Sequence, residues 1–260
     1  MLNYIRSECY RALRSKEIHG TALGILAILL AQNLILYMMK DVEHFRYAIT
    51  SFSYSMLVGM PMMYCYIAAD VTVMLYESDR KNGTLGNSIS FGLSRTEIFA
   101  GKCITCFATS FLLLLIALPA YIGSTELLLP ASGPTTVREL LLEIPAMSLI
   151  ATSALILAVA LLDCFENSFF SIVTWLTVMI FVPKTLYLAG MFLSPGTDFL
   201  LDIAMWMPSN FLYAGSTVNM SECVTFWSTP AGMGKCLLSG AAGILIFGSA
   251  GVLLLRKKEI

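Results

Sequence analysis

The chain contains two Gly-Lys pairs, Gly101–Lys102 and Gly234–Lys235, at which a nucleotide-binding loop could be sought. A Walker A loop places four residues between two glycines and follows the Gly-Lys pair with Ser or Thr. At the first pair, Thr96 stands where the earlier glycine is needed and Cys103 follows the lysine. The second pair fails the same pattern. The sequence therefore predicts that this chain does not bind and split ATP itself.

Acid-base and metal chemistry are also poorly supported by the sequence. Neither the HExxH pattern of metalloproteases nor a Gly-x-Gly-Asp motif of intramembrane proteases is present. The two histidines, His19 and His44, lie outside the apolar stretches and form no metal-ligand pattern. We expect no catalytic residue, no metal site, no cofactor in this chain and no enzymatic activity.

The seven cysteines are an odd number, and most lie within or beside apolar stretches, so they do not resemble a disulfide framework. Cys103 and Cys106 have the spacing of a redox motif but lack the βαβ context, and we interpret them as packing residues. Cys223 and Cys236 fall in a predicted outer segment where oxidation could join them. Buried free thiols are the alternative.

One ionisable residue, Asp70, lies inside an apolar stretch, where a charged group is costly and is a functional candidate. It precedes Glu77 by seven residues, or about 10 Å of helix. A shallow interfacial carboxylate paired with a basic side chain is the alternative. Gln32 and Asn33 in the first apolar stretch complete a possible intramembrane polar site, although hydrogen bonds between helices explain them more simply.

These residues belong to a chain whose composition favours lipid over water. Of its 260 residues, 57% are hydrophobic and 13% are charged, whereas soluble proteins are about 25% charged. The net charge of −1 leaves no basic excess, which argues against a nucleic-acid partner. The composition predicts an all-α membrane protein.

Six stretches are long and apolar enough to cross a bilayer as helices. They cover residues 20–39, 52–76, 103–123, 144–162, 169–190 and 236–255. Lysine and arginine favour the cytoplasmic side, and 11 of the 16 lie in the two termini and in the segment between spans two and three. We therefore expect both termini in the cytoplasm and a single six-span domain over residues 20–260.

The first 19 residues are expected to form a cytoplasmic interfacial helix. Apolar residues recur along one helical face, and basic residues lie elsewhere on the helix. A solvated basic tail that only fixes the orientation is the alternative. The first span does not resemble a removable signal peptide, because it is long and no small-residue cleavage site follows it.

The segment between spans two and three, residues 77–102, is the most informative part of the sequence. Gly83 favours a turn after the charged end of the second helix. Ser94 and Glu97 form a capping-box pattern, which predicts that the third helix begins at Ser94, before it enters the membrane. Residues 84–93 then form a short cytoplasmic shelf between two spanning helices.

The outer side contains a second capping-box pattern, Thr136 with Glu139, and Glu143 is expected at the outer interface. Residues 191–235 are too apolar for a loop in water but contain no run that could cross a bilayer. We expect short re-entrant helices with corners at Pro208 and Gly215. This segment, including Asp202, is predicted to cover the outer mouth of a central cavity.

The combination of six spans, a flat N-terminal helix and the motif at residues 77–102 resembles a type-2 ATP-binding-cassette permease. The branch that exports, or confers immunity to, bacitracin and lantibiotics is the most similar. The motif residues are Glu77, Gly83, Thr84, Leu85, Ser94, Arg95, Gly101 and Lys102.

This resemblance implies that the shelf is a coupling helix that docks on a separate ATPase subunit, with the motif residues and Glu97 as the coupling site. Two copies of that ATPase would bind ATP and Mg²⁺. The permease would pair with a second copy of itself or with a related permease in the bacterial plasma membrane. Asp202 and Pro208 would belong to an outer gate.

The resulting hypothesis is a permease subunit that exports an amphipathic or peptide antibiotic by alternating access. The alternative is a non-transporting membrane sensor or immunity protein that binds such a peptide. An ATPase whose hydrolysis responds to the substrate would distinguish the two.

Overall fold

The computed structural model describes residues 1–82, 92–165, 167–192 and 198–257, which are helical apart from short connections and one small hairpin. The elements in chain order are α1 (Leu2–Arg14), α2 (Lys16–Met38), α3 (Thr50–Val58), α4 (Met63–Asn82), α5 (Arg95–Leu128), α6 (Val137–Cys164), α7 (Ser168–Leu176), a π-helical segment (Thr177–Phe181), α8 (Val182–Phe192), α9 (Asp198–Ala204), α10 (Pro208–Ala214), β1 (Thr217–Val218), β2 (Cys223–Val224), a 3₁₀ turn (Phe226–Ser228) and α11 (Pro230–Lys257).

Five helices in the described part of the chain are long and apolar enough to cross a membrane. They are α2, α5, α6, the continuous run from α7 to α8, and α11. The pair α3 and α4 adds a sixth if it is counted as one bent span. The architecture is that of an all-α, multi-pass membrane protein. The count of six spans and their orientation in the membrane are predictions from the sequence.

The second predicted span is not one straight helix, which corrects our expectation for residues 52–76. Helices α3 and α4 meet at an angle of 62° across a break of four residues. Pro61 lies in this break, where it has no N–H for a helical hydrogen bond and its ring excludes the preceding turn. The break places α3 at a different angle from α4.

The N-terminal helix ends earlier than expected, and α2 begins four residues before the predicted span. Ser15 adopts an extended conformation between the two helices, and its hydroxyl accepts a hydrogen bond from the Ile18 N–H at 3.4 Å. Serine is a preferred N-cap because its side chain satisfies a free amide of the first turn. The segment is a folded helix packed on the bundle rather than a solvated tail.

Two apolar clusters fill the bundle, one towards each end. The cluster near the N-terminal helix joins buried residues such as Val71, Phe99 and Leu255. The other lies near the segment that follows α8 and includes Tyr54, Leu140 and Trp227. Their arrangement brings α1, the end of α4, the start of α5 and the end of α11 to the same end of the bundle.

Helix α11 packs closely on α6 and α5 through a strip of small residues. A Cβ atom added at Gly240 would lie 2.5 Å from the Leu149 Cβ, and one at Gly243 would lie 2.8 Å from the Ser153 Cβ. Gly251 meets the Phe99 ring in the same way, at 2.7 Å. The strip is therefore used within the chain.

The last outer segment folds into short elements packed against the helices. Pro208 is the first residue of α10 and Gly215 caps its end, as predicted. The Asn210 side chain donates hydrogen bonds to the carbonyl oxygens of Pro183 and Ala204, at 2.9 and 3.0 Å. The β1–β2 hairpin that follows was not predicted.

Candidate functional site

A buried cluster of four charged side chains joins α1, α4 and α5 at one end of the bundle. Asp79 and Lys102 are each 1% exposed, and Glu8 is 6% exposed. Lys102 pairs with both Glu8 and Asp79, and Arg11 pairs with the same two carboxylates. Among the described residues that form these ion pairs, two are acidic and two are basic, so their charges offset each other, as buried charges require.

The N-terminal helix can reach this cluster because residue 101 has no side chain. A Cβ atom added at Gly101 would lie 2.7 Å from the Tyr4 Cδ1 atom. Burial, followed by the nearby Glu8 carboxylate, raises the pKa of Tyr4 well above its ordinary value. Gly101 thus allows α1 to approach α5 closely. The neighbouring Lys102 compensates the buried carboxylates at the same point of α5.

The capping box at the start of α5 is confirmed. The Ser94 hydroxyl accepts a hydrogen bond from the Glu97 N–H at 3.3 Å, and a Glu97 carboxylate oxygen accepts one from the Ser94 N–H at 3.0 Å. Arg95 is the first helical residue, and Arg95 and Glu77 are both half-buried. Three further members of the predicted coupling site, Gly83, Thr84 and Leu85, lie outside the described residues, as does most of the shelf.

The structure therefore places the described residues of the predicted coupling site in two different environments. Gly101 and Lys102 are buried under the N-terminal helix, whereas Ser94 is exposed at the start of α5. Within this site, Ser94 and Glu97 meet in the capping box, and Lys102 instead binds residues that the motif does not contain, Glu8 and Asp79.

A cavity of about 290 Å³ lies between α2, the α3–α4 pair, α5 and α6. Its lining is almost entirely apolar, and the hydroxyl-bearing residues in it are Tyr64, Ser110, Tyr121, Ser148 and Thr152. Among the described residues, the buried Ser110 hydroxyl has no hydrogen-bond partner. Two lining side chains, Ile28 and Phe111, are 71% and 47% exposed, so the cavity opens to the outside of the bundle.

Asn33 forms a hydrogen-bond network between helices, which confirms the simpler interpretation of this residue. It is fully buried, donates to Ser124 Oγ at 2.7 Å and Thr125 Oγ1 at 2.9 Å, and accepts from Ser53 Oγ at 2.6 Å. Gln32 donates to the Tyr121 hydroxyl at 3.2 Å. This network ties α2, α3 and α5 together next to the cavity.

Asp70 does not join Gln32 and Asn33 in a common polar site. It is exposed on α4, outside the cavity, whereas Asn33 is enclosed by the three helices. The structure therefore does not bring Asp70 together with Gln32 and Asn33, which the sequence indicates as one possible polar site.

Two outer residues differ in their environments. Asp202 is exposed on α9, and Pro208 begins the adjacent α10, whose Phe211 and Leu212 are fully buried. Cys223 and Cys236 are both free thiols, and burial raises the pKa of the Cys223 thiol. The structure therefore does not join Cys223 and Cys236 in a disulfide.

Glu143, which is expected at the outer membrane interface, is covered by protein and has no exposed surface. In the part of the chain that the structure describes, neither of its carboxylate oxygens has a hydrogen-bond partner. Its position in the sequence does not distinguish it from other acidic residues near helix ends. Glu8 and Asp79 were likewise missed, because each lies beside basic residues that suggested exposure.

Comparison of the sequence with protein-family models and with curated proteins finds no match.

Proposed function

We propose that this chain is the membrane-spanning permease subunit of an ATP-binding-cassette exporter, which moves an amphipathic or peptide antibiotic and is driven by a separate ATPase. The observation that carries the proposal is the buried charge cluster of Glu8, Arg11, Asp79 and Lys102. It supports the proposal because it joins three helices at the end of the bundle where a partner's force would be received.

The charge cluster provides the mechanical part of this function. A push on the segment between α4 and α5 moves both helices, and the pairs from Lys102 to Glu8 and Asp79 carry α1 with them. Charged pairs that are largely buried resist separation, since parting them would leave uncompensated buried charges. The three helices therefore move as one body.

The cavity provides the path by which such motion acts on a substrate. Its walls come from α2, α4, α5 and α6, so a tilt of the α4–α5 body changes the width of the cavity. The angle of 62° between α3 and α4 marks a bend in this part of the chain. At this bend, α3 can move by a different amount from α4. Alternating access then follows from closing and opening this space.

A non-transporting sensor or immunity protein is the second candidate, and the cavity is the observation that favours it. An apolar cavity that opens to the side of the bundle binds an amphiphile whether or not a motor is attached. The two functions differ in the need for ATP hydrolysis by a partner.

The experiment uses the chain co-produced with its ATPase and measures substrate-dependent ATP hydrolysis. Leu85→Asp and Arg95→Glu are expected to lower the stimulated rate, because both alter the proposed docking segment, while the protein stays in the membrane. Arg46→Glu is the matched control, since Arg46 is an exposed arginine on the predicted outer side. Full coupling in both test variants would contradict the assignment of this segment.

A further inference from the structure

The outer end of the cavity adjoins a carboxylate that the proposed transport cycle does not use. Glu143 lies directly before Ile144 and one helical turn before Met147, and both of these residues line the cavity. Tyr64, another lining residue, interacts electrostatically with Glu143. The carboxylate and the cavity therefore belong to one region of the bundle.

Glu143 lacks the compensation that a buried carboxylate normally has. Both oxygens are without a hydrogen-bond partner among the described residues, and the side chain has no exposure. The groups that interact electrostatically with it are Tyr64 of α4 and Tyr213 of α10, and neither carries a positive charge. A buried carboxylate in this state is costly unless it takes up a proton or a cation joins it.

The charge cluster at the other end of the bundle differs from Glu143 in the compensation of its carboxylates. There, Glu8 and Asp79 are each paired with Lys102 and Arg11, so the chain itself supplies the cations. Nothing in the described part of the chain does the same for Glu143. The missing positive charge is therefore one that a ligand can bring.

The cavity limits the size of the rest of that ligand. Its volume of about 290 Å³ is close to the lower end of the range for small-molecule sites, which is about 300–1,000 Å³. Such a space holds a hydrocarbon body of modest size. The exposed side chains Ile28 and Phe111 place its opening on the side of the bundle, where lipid would lie around a membrane-spanning chain.

We propose that the cavity and Glu143 together form a binding site for a lipophilic amine, with the hydrocarbon body in the cavity and the ammonium group paired with the carboxylate. This site goes beyond the proposed export function, because binding requires no ATPase partner. Tyr64 lines the cavity and interacts electrostatically with Glu143, which lies beside the lining, and it adds an aromatic ring and a hydroxyl to the site.

The test uses the purified full chain in nanodiscs of phosphatidylcholine and two photoreactive probes, diazirine-labelled decylamine and the matched decanol. Mass spectrometry identifies the residues that each probe labels. We expect the amine to label the cavity residues of α4, α5 and α6 about tenfold more than the alcohol, because only the amine gains the buried charge pair. Equal labelling by the two probes would overturn the proposal.

Variants separate the carboxylate from the cavity. Glu143→Gln should remove the preference for the amine and leave labelling by the alcohol unchanged, whereas Glu143→Asp and the control Asp70→Asn should keep the preference. A retained preference in Glu143→Gln would contradict the role of the carboxylate. If that variant does not fold, the ratio of the two probes in the unmodified chain decides the question.

A second pair of variants tests whether the ligand occupies the cavity. Ala117 lines the cavity and Ala120 does not, although both lie on α5. Ala117→Phe should reduce labelling by both probes, and Ala120→Phe should not. Unchanged amine labelling in Ala117→Phe would place the ligand elsewhere and overturn the site. None of these measurements depends on an ATPase, so their failure is distinct from failure of the export function.

Discussion

The buried charged residues of this protein differ in whether another side chain of the chain compensates their charge. Lys102 is buried between two carboxylates and lies 5.5 Å from the centre of the Tyr76 ring. Its position in a Gly-Lys pair suggested a contact with a partner protein, but its partners are within the chain. Residue type and motif did not distinguish these two roles, because the difference depends on the N-terminal helix folding back over α5.

Replacing Lys102 tests the balance of the charge cluster. Lys102→Met leaves two carboxylates with one arginine, and removal of one partner from a buried ion pair costs about 3–5 kcal/mol. We expect a loss of this size in the unfolding free energy, measured in detergent micelles. Arg14→Met is the control, since Arg14 is exposed on α1.

The double variant Glu8→Gln with Lys102→Met restores the charge balance. It should be more stable than the sum of the two single changes predicts, since the residues share one network. Strictly additive losses would show that the two side chains do not interact.

At the scale of elements, the sequence predicted the helices well and their interruptions less well. The capping pairs Ser94–Glu97 and Thr136–Glu139 lie where α5 and α6 begin, because capping depends on residues within one turn. Pro61 removes a helical hydrogen bond at the break, but the local sequence does not specify the angle of 62° between α3 and α4. Local patterns could not show that α1 would end at Ser15.

The contact between α1 and α5 can be tested at Gly101. Gly101→Ala places a methyl group against Tyr4, and such overpacking costs about 1–3 kcal/mol. Gly123→Ala is the matched control on the same helix, where no atom lies within 4 Å of the added Cβ.

The unfolding free energy should fall for Gly101→Ala, whereas Gly123→Ala should be neutral or stabilising by up to about 1 kcal/mol, since alanine is the better helix former. Equal effects at both positions would mean that α1 does not pack on Gly101 in the membrane.

The whole molecule is organised between two ends with different chemistry. One end brings together α1, the balanced charge cluster and the chain segments that flank residues 83–91. The other contains the hairpin, α9, α10 and the uncompensated Glu143. Composition and hydrophobic length predicted the membrane class, but the assignment of each buried carboxylate required tertiary contacts between residues far apart in the sequence.

The orientation of these ends is testable with epitope tags. A tag at the N-terminus should be reached by antibody only after the cells are opened, because the basic residues of this end favour the cytoplasm. A tag beside Glu222, in the turn between β1 and β2, should be reached on intact cells. The reverse pattern, or both tags on one side, would contradict the predicted orientation.

The export function depends most directly on the existence of a motor subunit. The measurement is vanadate-sensitive ATP hydrolysis by the complex purified through a tag on this chain from its native membranes. We predict that an ATPase subunit carrying a Walker A lysine co-purifies and that an amphipathic peptide stimulates its hydrolysis. A chain that is stable and complete without any nucleotide-hydrolysing subunit would contradict the account.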